Sequence, residues 1–336
     1  YTLTDADVGF RIKATYTGNG DFKESVSATS EVIKKAFVEK PNKPTEVSKS
    51  DSSLTVKMTD AGTYDIGYAE SASGDITIAQ QEVNANTEVK IENLKRNKDY
   101  YIFARKSETA SSVESAWSDA LIVSTEKTVV SGNITVNGTC KVDETVMIKA
   151  PVLENLSGTW KLERQITKGS TTTISPSVYT VDPVNNTVSY QIDPKDAGAT
   201  IKVTFTATGD YKSSVDMVTE PIKNAKLDTN NIPSGMTISS IRDYSMNVTA
   251  VDGTDIYQYG YALKGAAVTT VKAEDATGNA GTVITLNGLK RNTEYDLYVR
   301  KAAKTGYDAS DWVKLDTKTT DKSILTGTVE YVKVVD

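Results

Sequence analysis

The chain has 336 residues, with 44 Asp or Glu against 38 Lys or Arg, one cysteine and no histidine. Without histidine there is no usual general base, no common zinc ligand and no Ser-His or Cys-His dyad. A net charge of −6 argues against a nucleic-acid or anionic-membrane partner, and a single cysteine cannot form an internal disulfide.

The chain order is organised by a repeat. Tyr1–Ala36 laid on Tyr190–Ala225 matches at 16 of 36 positions without a gap. Ile91–Lys106 lies on Leu286–Lys301, Trp117 then falls on Trp312, and Val130-Ser-Gly-Asn-Ile-Thr135 is echoed by Leu325-Thr-Gly-Thr-Val-Glu330. Two unlike modules, X and Y, therefore alternate over 1–36, 37–128, 129–225, 226–321 and 322–336. The first X segment carries only late strands and the last only an opening strand. Tyr1 is not an initiator methionine, so the chain is expected to be a window from a longer array.

Both modules read as β. In X, Ile12, Ala14 and Tyr16 alternate with Lys13 and Thr15, and Ile201, Val203, Phe205 and Ala207 with Lys202, Thr204 and Thr206. In Y, Tyr64, Ile66 and Tyr68 form one strand face and Tyr100, Ile102 and Ala104 another, matched by Tyr257, Tyr259, Tyr261 and by Tyr295, Leu297, Val299. Period-two runs in units of roughly 95 residues, with no sustained helical period, indicate antiparallel sandwiches. No stretch approaches ~18 consecutive apolar residues, so membrane insertion of this segment is not expected.

Module Y resembles a fibronectin type III domain through Leu94-Lys-Arg-Asn-Lys-Asp-Tyr100 and Leu289-Lys-Arg-Asn-Thr-Glu-Tyr295. The resemblance implies a tyrosine corner at Leu94, Tyr100, Leu289 and Tyr295. It also implies opening strands at Pro44–Val47 and Ile232–Met236. The family's second-strand tryptophan is absent: Leu54–Met58 and Ser245–Thr249 stand there instead. Module X resembles a bacterial immunoglobulin-like repeat through Ser131–Val136, Asp143–Met147, Gly158–Leu162 with Trp160, and Asp196-Ala-Gly198, the last repeated as Asp7-Val-Gly9.

The expected fold is thus all-β: tandem immunoglobulin-like and fibronectin type III-like β-sandwiches in an elongated multidomain array. Residues 1–36 would be the C-terminal part of an Ig-like domain, 37–128 and 226–321 fibronectin type III-like, 129–225 a complete Ig-like domain, and 322–336 the first strand of another.

Trp117 and Trp312, in Ser115-Ala-Trp-Ser118 and Ser310-Asp-Trp-Val313, lie at a spacing that would let Arg105 and Arg300 stack on the indoles. An exposed indole could equally stack on a sugar. Gly67 and Gly260 interrupt strands beside the outward rings of Tyr101, Phe103 and Tyr298, which would cover the bare backbone. These residues make a surface that is either structural or binding. Trp160 is expected in the sandwich core, and Cys140, equivalent to Val335, as a small buried hydrophobe. Asp5, Asp7, Asp193 and Asp196 could offer oxygens to calcium, but their spacing is not constant and a turn role accounts for Asp7 and Asp196. Sequons at Asn133, Asn137, Asn155, Asn185 and Asn247 matter only in a eukaryotic secretory pathway.

Paired carboxylates are the enzyme route this composition leaves open, and no pair is marked by position. The expected function is a non-catalytic, cofactor-free stalk or spacer in a large bacterial cell-surface or secreted protein, located outside the cell. The alternatives are an adhesion module for a glycan or protein, an accessory region of a secreted polysaccharide-degrading enzyme, and self-association through incomplete terminal modules.

Overall fold

Alternating apolar and polar residues put one face of the central strands in a dry core, and the Gly, Asn and Asp clusters between strands make the turns. The computed structural model describes residues 1–167 and 170–329, with no α-helix among them and only four single-turn 3-10 segments. The fold is a tandem series of antiparallel β sandwiches. Two compact units are present, 1–132 with 152–159 and 206–215, and 133–151 with 160–205 and 216 onward.

In the first unit, Lys13–Thr17 and Ser25–Thr29 form an antiparallel hairpin. Its apolar residues are exposed: Tyr16 is 70% accessible, whereas its repeat equivalent Phe205 is fully buried. Two sheets follow. One orders Thr45–Lys49, Leu54–Lys57 and Val89–Ile91; the other orders Thr77–Asn84, Thr63–Ala69, Asp99–Lys106 and Leu121–Ser124. Between them lie Leu54, Val56, Tyr64, Ile66, Tyr100 and Ile102, each at most 1% exposed. The alternation seen in the sequence is the inward face of these strands.

The second unit repeats that plan. Met236–Ser239, Ser245–Ala250 and Ile284–Asn287 make one sheet, and Lys272–Gly278, Tyr257–Leu263, Glu294–Lys301 and Val313–Thr319 the other. Met246, Tyr257, Tyr259 and Leu297 fill the interior. Tyr259 receives a hydrogen bond on its hydroxyl from the Ala250 N–H at 3.0 Å, so its polar end is satisfied inside the core.

The second X copy contributes the sheet Thr135–Asn137, Thr145–Lys149, Thr187–Gln191, Tyr179–Asp182, and another ordered Ser170–Thr173, Ser157–Thr167, Thr200–Thr208, Ser214–Val218. Its expected opening strand over 131–136 is instead two short strands, Thr128–Val129 and Thr135–Asn137. Gly132, at φ 102°, falls in the break, where an L side chain would be strained. Trp160 is half-buried and meets Phe205 edge-on at 4.9 Å; Phe205 and Leu162, not the indole, occupy the fully enclosed positions. Residues 320–329 form no strand, and the rest of the segment expected to open a further module, with Val335, lies outside the described residues.

The Asp-x-Gly turn is built alike in both X copies. Asp196 is fully buried, accepts from Arg164 Nε at 2.5 Å and from the Asp193 N–H at 3.1 Å, and takes the Tyr190 hydroxyl. In the first copy Asp7 accepts from the Tyr1 hydroxyl at 2.6 Å and the Thr4 N–H at 2.7 Å. Among the described residues no cluster of three or more carboxylate or cysteine ligands could hold a metal ion.

Candidate functional site

The residues singled out in Y converge on the outer face of its four-stranded sheet. Strand alternation sends Tyr64, Ile66 and Tyr68 inward, and so turns Asp65 and Gly67 outward beside Arg105 and Phe103 of the paired strand. The indole of Trp117 comes over this face. The Arg105 guanidinium carbon lies 4.9 Å from the indole centre, and a side chain built on Gly67 would have its Cβ 3.2 Å from the Trp117 ring.

The second copy has the same geometry. Arg300 stands 4.2 Å from the Trp312 ring centre, and a Cβ on Gly260 would meet that ring at 3.1 Å. The absence of a side chain at these glycines is therefore what lets the tryptophan lie against the sheet. The ring over the glycine is the tryptophan; Tyr101 and Phe103 are half-buried, and Tyr298 is only 5% exposed, so it is not an outward platform.

The tryptophan segments are tied down by their serines. Ser115 Oγ accepts from the Lys106 N–H at 2.9 Å and Ser118 Oγ from the Ala104 N–H at 3.0 Å. Ser310 Oγ does the same for Lys301 N–H at 3.0 Å. These hydroxyls take the place of strand carbonyls where the chain leaves the sheet, which accounts for serine flanking each indole.

The two faces differ in charge. Arg105 donates from Nε to Asp65 at 3.0 Å and from a terminal nitrogen to Glu114 at 3.3 Å. Asp65 is 4% exposed and also accepts from the Ser107 hydroxyl at 2.7 Å and the Glu82 N–H at 3.2 Å. Burial pushes its carboxyl up, but the Ser107, Glu82 and Arg105 donors outweigh that and hold it below the usual carboxylate range. At the matching position Gln258 accepts from Arg300 at 2.9 and 2.7 Å and passes a bond from its amide to the Glu274 carbonyl. Burial pulls the Arg300 guanidinium down from its ordinary value. A polar recess of about 410 Å³ opens beside Asp65, lined also by Glu82, Arg105, Glu108 and Glu114.

Both tyrosine corners are formed. The Lys95 N–H donates to the Tyr100 hydroxyl at 2.8 Å and the Lys290 N–H to Tyr295 at 2.8 Å, with Leu94 and Leu289 buried beside them. Cys140 is half-buried rather than enclosed; burial, with Glu220 nearby, pushes its thiol up.

Arg105, Trp117, Phe103 and Gly67 are thus brought together, as are Arg300, Trp312, Tyr298 and Gly260. Sequence reasoning overlooked Asp65 and Gln258, the residues that decide whether each arginine is neutralised. Their signal was present: both stand two positions before the mid-strand glycine, on the outward face.

No family model matches the chain, and no curated protein matches it. Among solved structures, the crystal structure of chicken CNTN1 FN1-FN3 domains is similar to it, at 13% identity over 85% of this chain and 99% of that one, with a TM-score of 0.29.

Proposed function

We propose that this chain is a non-catalytic spacer segment of a large bacterial cell-surface or secreted protein, built of alternating immunoglobulin-like and fibronectin type III-like modules that hold other domains apart outside the cell. The observation that carries this reading is the occupancy of the outward tryptophans. Trp117 and Trp312 are each half-buried between their own module's glycine and arginine, so neither indole presents an open face to a sugar ring.

Short, bonded junctions support it. In the first unit Lys35 pairs with Glu108 at 2.5 Å, the Ala36 N–H donates to Ser111, and Lys40 meets Asp119 at 2.8 Å. In the second, the Ala225 and Leu227 N–H groups donate to Gly306 and Asp308, and the Tyr307 hydroxyl donates to Asp143 at 2.9 Å. Contacts of this kind restrict bending between neighbouring sandwiches.

The test is twofold. The chain is applied to a broad panel of soluble glycans, where no saturable binding is expected; binding that disappears in Trp117→Ala overturns the reading. In the intact parent protein, replacing this segment with unrelated sandwiches of equal length is expected to preserve antibody access to the distal domains on cells.

A further inference from the structure

The two Y copies share a tyrosine corner and differ around it in one consistent direction. In the first, Glu70 accepts from Lys95 Nζ at 3.2 Å and also meets the Lys98 ammonium, so a carboxylate of the module's own serves both cations. In the second, Tyr68-Ala-Glu70 becomes Tyr261-Ala-Leu263, and Glu92-Asn-Leu-Lys95 becomes Asn287-Gly-Leu-Lys290. Thr77, opposite Tyr68, becomes Lys272, opposite Tyr261. The acid is lost, a lysine is gained, and a glycine replaces the asparagine.

These changes meet at one place. Tyr261, Leu263, Ala266, Lys272, Gly288 and Lys290 line a cleft of about 340 Å³ beside the edge strand Lys272–Gly278. Gly288 has φ 71°, and a Cβ there would touch the Tyr261 hydroxyl at 3.5 Å, so the glycine keeps this wall open. The neighbouring polar groups are engaged: the Tyr261 hydroxyl donates to the Asn287 carbonyl at 2.6 Å, Glu274 accepts from the Asn287 N–H at 2.9 Å, and Glu294 pairs with Lys264 at 3.1 Å. Lys272 and Lys290 are exposed, and neither ammonium has an ion pair among the described residues. In the first copy, after which the chain continues into another module, Glu70, Thr77, Asn93 and Lys95 are all exposed. The opening of these positions therefore does not come from where the sequence stops.

We propose that this cleft binds a small apolar carboxylate, an alkyl or arylalkyl acid. Its carboxylate takes the place of Glu70 between Lys290 and Lys272, and its apolar body lies against Leu263, Ala266 and the Tyr261 ring. Charge complementarity selects the class, because two unpaired cations border an apolar wall where the sister copy has an acid built in. Size selects a small molecule over a protein segment. The cleft matches the lower end of ligand pockets, roughly 300 to 1,000 Å³, whereas a stable protein partner needs about 800 Å² of surface on each side.

The test is a titration of biphenylacetate into the isotope-labelled full chain, followed by amide resonances. Saturable shifts are expected at Leu263, Gly288 and Lys290, with a Kd on the order of 100 µM. Biphenylacetamide, the uncharged counterpart, should bind about fivefold more weakly, and Lys272→Met and Lys290→Met should each weaken the acid by about three- to fivefold. Leu263→Glu, which installs the first copy's own residue, should weaken it by about tenfold or more, since it removes an apolar wall and supplies a competing carboxylate. The unshifted resonances of each variant report that it is folded. No saturable shift at these three amides overturns the proposal, as does equal binding of acid and amide, or binding that Leu263→Glu leaves unchanged. The proposal stands apart from the spacer reading: a chain that binds no carboxylate leaves the glycan panel and the exposure of distal domains as expected there.

Discussion

The Arg300 guanidinium lies 4.2 Å from the centre of the Trp312 ring while Gln258, a neutral side chain, holds it from below; the equivalent Arg105 is held by the buried carboxylate of Asp65. The same arginine on the same tryptophan therefore carries a different load in each copy. In the first, removing the cation leaves a carboxylate that is 4% exposed without its counter-ion.

Arg105→Ala is accordingly expected to destabilise its sandwich by ~3 kcal/mol, the range for breaking a buried pair. Arg300→Ala should cost only about 1 kcal/mol, the worth of a partly exposed cation–π contact with a neutral hydrogen bond. Hydrogen exchange of the Asp99–Lys106 and Glu294–Lys301 strands reads the two losses separately in the intact chain. Equal losses would refute the distinction.

Gly67→Ala and Gly260→Ala should each displace a tryptophan. The new Cβ would lie 2.5 Å from Ile76 Cγ2 in the first case, and 2.6 Å from Val271 Cγ1 and 2.8 Å from the Lys272 carbonyl oxygen in the second. Because a strand carbonyl cannot rotate aside, Gly260→Ala is the worse of the two, at about 2 to 3 kcal/mol against about 1 to 2 for Gly67→Ala. Denaturant unfolding followed by indole fluorescence gives the order.

Tyr100→Phe and Tyr295→Phe keep the ring and remove the acceptor of the Lys95 and Lys290 N–H groups. Each should cost about 1 to 2 kcal/mol, as a half-buried amide is left unpaired. The two values should agree within a few tenths, since the corners share one geometry and one distance.

Asp296 predicts an acid limb. Its carboxyl is held down to about 2 by the Lys314 ammonium at 2.7 Å, the Gly265 N–H and the Thr317 hydroxyl. A carboxyl whose folded value is depressed adds stability that is present above its unfolded value near 4. That stability is lost as pH falls toward about 2. Asp296→Asn should flatten unfolding free energy against pH across that interval. An unchanged slope would remove Asp296 from the acid response.

The sequence by itself determined the strands and their inward faces. Tyr64, Ile66, Tyr100 and Ile102, and their counterparts in the second copy, alternate with polar residues, and period two admits one buried face. It also determined the pairing of each arginine with its tryptophan, because the repeat shows that spacing twice, while the tyrosine corners were implied by the resemblance to a fibronectin type III domain. Tertiary structure alone decided which ring lies on each glycine, since Trp117 comes from a different segment of chain than the neighbouring Phe103. It likewise decided that Asp65 is buried and that Trp160 yields the core to Phe205 and Leu162. Burial depends on what packs across a face from distant sequence. For the same reason Tyr16 and Phe22, patterned like Phe205 and Tyr211, stand exposed on their hairpin: an apolar strand face is written in the strand, and its covering is not.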